Sequence, residues 1–169
     1  MNNSQLINQT SNKYEYYTPS SIIEAARSTM GSIDLDPASS ETANQRVKAL
    51  AYYSSEGLEK TWYGNIWLNH PFSRENNPLW IRKLHLGYHL DRIEQACCLT
   101  YAATSENWFQ PLFNYVQCWL APRTNFYLPD GTLKKGVTKG SVITYFGSEN
   151  KKFSFYFSKL GYITQPLRN

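Results

Sequence analysis

The chain is expected to fold as one open α/β domain, with a mostly parallel sheet flanked by helices on a single compact core. Three observations carry that expectation. Short apolar runs recur along the sequence, helix-spaced segments lie between them, and no repeat or linker interrupts the alternation. A length of 169 residues suits one ordinary domain. With 41% apolar and 18% charged residues, the chain is too hydrophobic to remain disordered.

Residues 1–13 are polar and unpatterned and read as a flexible N-terminal segment, which leaves 14–169 as the folded domain. Thr18-Pro19 predicts a helix start, with Thr18 as N-cap and Pro19 at the first helical position. Ile22, Ile23, Ala26 and Met30 form its apolar stripe, and Gly31 stops it. Ile33 to Asp36 alternates as a strand and breaks at Pro37. Ser39 or Ser40 can cap a helix over 41–50. Tyr52-Tyr53 and Gly64 to Asn69 read as strands, Pro78 to Leu90 as a helix, and Ala96 to Tyr101 as a strand buried on both faces. Glu106 to Tyr115 is expected to be helical, Cys118 to Ala121 a strand, 122–139 a long polar connection, and Val142 to Phe146 another strand. The tail from Phe153 to Ile163 has the pattern of either a final strand or an amphipathic helix.

Composition narrows the partners. A formal net charge of +4 favours polyanions mildly, far short of the dense basic tract of an architectural DNA binder. The 13 Tyr, 8 Phe and 5 Trp supply a generous aromatic core and, where they sit beside Asn, Ser or Arg, surfaces on which bases can stack. The apolar runs are too short to span a bilayer and the N-terminus is polar, so the sequence predicts a cytoplasmic protein with no membrane association. Cys97, Cys98 and Cys118 lack metal-like spacing and lie in strand-like segments, as buried thiols do. His85 and His89 stand four apart on a helix, but with no third ligand they read as surface histidines, and no metal is expected.

The chemistry converges on Asn69-His70-Pro71-Phe72, placed directly after an apolar strand. An exocyclic amine on a nucleobase is a poor nucleophile because its lone pair is delocalised into the ring. Two hydrogen-bond acceptors can pull it towards tetrahedral geometry, and a flat face can hold the extruded base. An Asn side-chain oxygen, the carbonyl of the next residue and an aromatic two residues on supply these parts. Further pieces stand in order around the tetrapeptide: Tyr16-Tyr17-Thr18-Pro19, Asp34-Leu35-Asp36-Pro37-Ala38-Ser39, Glu56-Gly57-Leu58, Trp62 to Asn69, Trp108-Phe109 and Ala121 to Phe126.

In that order and spacing the chain, from about Tyr14 to Gly147, resembles the phage-encoded, Dam-type family of DNA N-6-adenine methyltransferases. The resemblance implies a Rossmann-like, S-adenosylmethionine-dependent methyltransferase fold that transfers a methyl group to a flipped adenine in DNA, in the host cytoplasm if the gene is a phage's. By the same resemblance Tyr17, Thr18 and Pro19 match the segment that holds the methionine end of the cofactor. Asp34, Asp36, Pro37 and Ala38 match the loop lining the cofactor pocket, and Glu56 lies near the adenosine. Asn69, His70, Pro71 and Phe72 match the catalytic motif. Three departures accompany these matches: His70 stands where the family usually has Pro, the Gly-rich element after Asp36-Pro37 is missing, and Glu56 replaces the usual Asp.

Candidate phosphate contacts follow two strand ends: Ser73 and Arg74 with Arg82 and Lys83, and Arg123 with Lys134, Lys135 and Lys139. Two other readings fit the same motifs. One is transfer to cytosine N4, another exocyclic amine; the other is a catalytically impaired cofactor- or DNA-binding accessory protein, which His70 motivates.

Overall fold

The computed structural model describes residues 16–128, 130–135 and 137–167. The segment 1–13 expected to be flexible lies outside them. Among the described residues, four α-helices and one 3-10 helix surround a seven-stranded sheet of order β2-β1-β3-β4-β6-β5-β7. Its strands are β1 (Leu35–Asp36), β2 (Ala51–Tyr52), β3 (Asn65–Leu68), β4 (Gln95–Tyr101), β5 (Val116–Leu120), β6 (Ser141–Phe146) and β7 (Gly161–Thr164).

The sheet corrects one expectation: it is mixed rather than mostly parallel. The pairings of β1 with β2, β1 with β3 and β3 with β4 are parallel; those of β4 with β6, β6 with β5 and β5 with β7 are antiparallel. The reason lies in the connections. Parallel neighbours need a crossover, whereas antiparallel ones need only a return loop. Helices α2 (Glu41–Val47) and α3 (Asn76–His89) lie between the strands of the first half. The segment joining β5 to β6 contains no helix among its described residues, so β6 turns straight back against β5.

Alternation within the strands builds two cores. Trp67, Cys97, Leu99, Cys118 and Ile143 face α1 (Ser20–Met30) and α4 (Asn150–Phe157), which pack against one another. Ile66, Leu68, Ala96, Cys98 and Val142 face the other way, onto Ile81 and Leu84 of α3 and Leu112 of the 3-10 helix Gln110–Asn114. β3 and β4 are therefore covered on both sides, which accounts for their unbroken apolar runs. All three cysteines are buried free thiols.

Several local expectations need correction. Pro19, not Thr18, is the N-cap residue of α1, and no side chain caps that helix. The C-terminal stop holds: Gly31, at φ 88°, donates its N–H to the Arg27 carbonyl, a left-handed conformation that glycine adopts at no steric cost. Helix α2 ends at Val47 rather than reaching Leu50, because Lys48 turns left-handed and the Asn44 side chain bonds both backbone groups of Ala49. The helix expected over Glu106 to Tyr115 shrinks to Gln110–Asn114, since Pro111 would lie in its interior without an N–H to donate. The tail resolves its two readings by using both, α4 and then β7. No helix of the described residues is long and apolar enough to cross a membrane.

Candidate active site

In an open α/β sheet a ligand crevice forms beyond the strand carboxyl ends, where consecutive strands diverge to opposite sides. Here that point is β1: the chain leaves it for β2 on one side and returns to β3 on the other. A cavity of about 500 Å³ opens there, within the range of small-molecule and cofactor sites. Its walls come from the segments that follow β1, β2 and β3, from Tyr101 at the end of β4, and from Tyr16 to Thr18 crossing above them.

Asn69, His70, Pro71 and Phe72 all line the cavity. Asn69 is half-buried, and its amide Nδ2 donates to the Thr18 hydroxyl at 3.2 Å. That bond explains why Thr18 is buried rather than capping a helix, and it turns the Asn69 Oδ1 away as a free acceptor. The His70 carbonyl receives no hydrogen bond from a described residue. Phe72 is braced by Tyr101, ring centroids 4.6 Å apart, and meets the edge of His70 at 5.1 Å. The His70 ring is only 2% exposed, stacks at 6.2 Å on Trp80, and shares a 2.9 Å hydrogen bond with Asn77 Oδ1 through Nε2. Burial pushes this imidazole down to about 4, against the opposing pull of the Asn77 bond, so it is neutral at physiological pH.

Of the cofactor candidates, Tyr17, Thr18, Asp36, Pro37, Ala38 and Glu56 line the cavity. Pro19 and Asp34 do not. Pro19 instead accepts the first helical N–H groups of α1 on its carbonyl. Asp34 takes the Ser32 hydroxyl and the Asn65 N–H, each at 2.8 Å, and so staples the start of β1 to β3. Asp36 is buried, accepts from the Ala38 N–H at 3.2 Å, and is pushed up to about 7 by desolvation. Glu56 is exposed with φ 55°, a conformation that costs a long side chain more than it costs Asp, whose short polar group tolerates it. Gly57 is required beside it, because a Cβ there would lie 2.0 Å from the Pro37 carbonyl oxygen.

The sequence reading missed several lining residues. Tyr53 and Trp80 were assigned only to elements, and Arg46 went unmarked because it lies in an ordinary polar helix. Arg46 is the one Lys or Arg among the described lining residues; its guanidinium lies over the rings of Tyr127 at 4.9 Å and Tyr17 at 5.7 Å. Its N–H edge carries no hydrogen bond or ion pair to a described residue.

The candidate phosphate contacts separate into groups. β5 runs parallel to β4, so the 121–140 connection rises from the same edge as the cavity and presents exposed Arg123, Lys134, Lys135 and Lys139 there. The Lys139 ammonium lies 5.0 Å from the centre of the Tyr101 ring. Arg74 is exposed at the same edge, while the Ser73 hydroxyl accepts the Asn76 N–H and so shapes the first turn of α3. Arg82 is exposed about 9 Å down that helix, at 1.5 Å per residue. The Lys83 ammonium donates to the carbonyls of Leu58 and Lys60 at 2.8 and 2.7 Å, a structural tie. Away from the cavity, His85 and His89 contact each other, and among the described residues no group of three or more His, Cys, Asp or Glu is placed to hold a metal.

The molecule is thus an α/β domain whose strand-end crevice combines amide and carbonyl acceptors with an aromatic face. The family model for DNA N-6-adenine-methyltransferase (Dam) matches residues 5–154, most of the chain. The protein belongs to this family and is a DNA adenine-N6 methyltransferase. No curated protein and no solved structure matches the chain.

Proposed function

We propose that the cavity at the β1 switch point is the methyl-transfer site, that it takes S-adenosylmethionine on a Rossmann-like framework, and that Asn69, His70 and Phe72 receive the target adenine. The observation that carries this reading is the Thr18 bond to Asn69. With the Nδ2 group committed to Thr18, Oδ1 takes no hydrogen bond from a described residue and is open to the adenine amine, and the His70 carbonyl, likewise without a donor among the described residues, supplies the second acceptor. Hydrogen bonds to both localise the lone pair on N6. Phe72, held by Tyr101, gives the extruded base a face to stack on.

The cavity's charges fit the cofactor. Arg46 offers a positive charge for the carboxylate of its methionine end, Asp36, which ionises near pH 7, offers acceptor oxygens for its ammonium, and Tyr53 and Trp80 offer apolar faces for its adenosine. When bound, the cofactor supplies an electrophilic methyl on a sulfonium. Methylated N6 is acidic enough to lose its proton to water, so no dedicated base is needed. A ring as weakly basic as that of His70, with Nε2 committed to Asn77, is a poor acceptor for it.

Incubating the purified protein with methyl-labelled cofactor and DNA, then digesting to nucleosides, tests the proposal. Label is expected on N6-methyladenine. Label only on cytosine would redirect the reading to N4 transfer, and cofactor binding by calorimetry without turnover would make the protein an impaired accessory.

A further inference from the structure

His70 occupies the position where a proline ring would fix the backbone that presents the second acceptor. Losing that ring frees φ at a residue whose carbonyl must be aimed. The structure shows what stands in its place. The His70 side chain turns into the wall of the cavity, stacks against Trp80 and bonds through Nε2 to Asn77 Oδ1 at 2.9 Å. Asn77 is itself buried at 9% exposure, in the first turn of α3, where its N–H is held by the Ser73 carbonyl at 3.0 Å. The loop from Asn69 to Glu75 is thus tied at its start to Thr18 through the Asn69 side chain, and across to the first turn of α3 through the bond between His70 and Asn77.

We propose that Asn77 is a positioning residue for methyl transfer: through its bond to the His70 ring it anchors the catalytic loop to α3, replacing with a side-chain hydrogen bond the restraint a proline would impose. The inference rests on the proposed transfer site. One feature of His70 argues that the bond is what the position retains. With Asn77 Oδ1 as acceptor, Nε2 carries the proton and Nδ1 is left buried without a partner among the described residues. An orphaned ring nitrogen and a buried titratable group are both costs that an apolar side chain of similar size would avoid. A residue serving only to fill space among Trp80 and Phe72 would have no need of either.

The test is a double-mutant cycle on purified full-length protein, with folding followed by circular dichroism and kcat and KM measured separately. Asn77→Ala in the native background should lower kcat about 10- to 100-fold, the scale of a small misplacement of reacting groups, with KM for the cofactor little changed. In the His70→Pro background, where the ring restores the restraint, the same substitution should have no further effect on kcat. His70→Phe, which keeps the packing but cannot donate, should behave like Asn77→Ala and be insensitive to its addition; it serves in its place if Asn77→Ala does not fold. Nitrogen-15 spectra should show the Nε2-protonated tautomer of His70 in the native protein, and its loss on Asn77→Ala. Equal effects of Asn77→Ala in the native and His70→Pro backgrounds, or unchanged kcat in the native one, overturn the proposal. Absence of transfer by the unmodified protein overturns instead the reading of the site on which it rests.

Discussion

Strands β2, β1, β3 and β4 run parallel and finish at one edge of the sheet, where every residue of the Asn69 to Phe72 motif meets the cavity. Strands β6, β5 and β7 pair antiparallel and bring no strand residue to that cavity. They contribute apolar mass instead. β6 is buried along its whole length, and Phe153 and Phe157 of α4 are fully buried on the face they share with α1. Reach differs as well: β1 and β2 are two-residue strands that end in loops lining the cavity, whereas β4 and β6 form the long central ladder. On the proposed site, one half presents chemistry and the other holds it in place, so substitutions in the two should separate turnover from stability.

The largest effect should come from the parallel half. Asn69→Ala removes the free Oδ1 and the bond to Thr18, and its turnover should fall about 10³-fold or more, as for loss of a preorganised polar group at a reacting centre. Because Asn69 is only half-buried, the melting temperature should change little. In the antiparallel half, Phe153→Ala should do the reverse. That ring stacks on Tyr145 at 5.3 Å and on Phe157 at 4.4 Å, and its truncation should cost about 3–5 kcal/mol in a denaturant titration. Activity per folded molecule should persist. If Phe153→Ala lowers turnover of the folded fraction as strongly as Asn69→Ala does, the division between the halves fails.

The same division explains what the sequence made legible. The site-bearing half is written locally: Asp36-Pro37, Asn69 to Phe72 and the strands that precede them are contiguous in the chain, and the structure brings them to one cavity. Strand pairing is not local. Nothing in the residues from Ser141 to Phe146 says that this strand inserts between β4 and β5, so the mixed sheet was not to be read from alternation alone. Tertiary partners also redirected side chains whose local signals were sound. Thr18 has the sequence of an N-cap yet spends its hydroxyl on Asn69, 51 positions away, and Lys83 has the setting of a phosphate contact yet binds two carbonyls. Arg46 had no motif around it, and Asn77 stood only at the end of the Ser73 to Asn77 stretch read as a phosphate contact; their actual partners became visible only when folding placed them against Tyr17 and His70.

Titration sharpens the comparison within the parallel half itself. Asp36 holds its proton up to about 7 in the folded chain against 3.8 unfolded, so between those values the folded state binds more protons and stability falls as pH rises. His70 is the opposite case. Its folded value of about 4 lies below the 6.5 of the unfolded chain, so stability falls as pH drops through that window. Each shift corresponds to roughly 3–4 kcal/mol at 1.36 kcal/mol per unit, and between about pH 4 and 6.5 the two oppose one another. The native protein should therefore show a nearly flat stability profile there. Asp36→Asn should unmask the His70 slope, with stability rising towards pH 6.5, and denaturant midpoints across the range would show it. A profile that stays flat in Asp36→Asn would mean that the two groups are not the titrating pair.

The smallest effects belong to the rim, and they test whether the antiparallel half reaches the DNA through the 121–140 connection. Lys134 and Lys135 are exposed on the cavity side of the sheet, with no ion pair to a described residue. If each neutralises one phosphate, replacing either by Gln should weaken DNA binding modestly and reduce the slope of log affinity against log salt by about 0.9. The double substitution should remove about twice that, leaving thermal stability unchanged, as expected for exposed charges. Lys83→Gln is the internal contrast. Its ammonium is already committed to the Leu58 and Lys60 carbonyls and lies over the Trp62 ring, so its loss should lower stability and leave the salt slope alone. A salt slope altered by Lys83→Gln but not by the Lys134 and Lys135 substitutions would move the DNA from the 121–140 rim to the flank of α3, and the long connection of the antiparallel half would lose its part in binding.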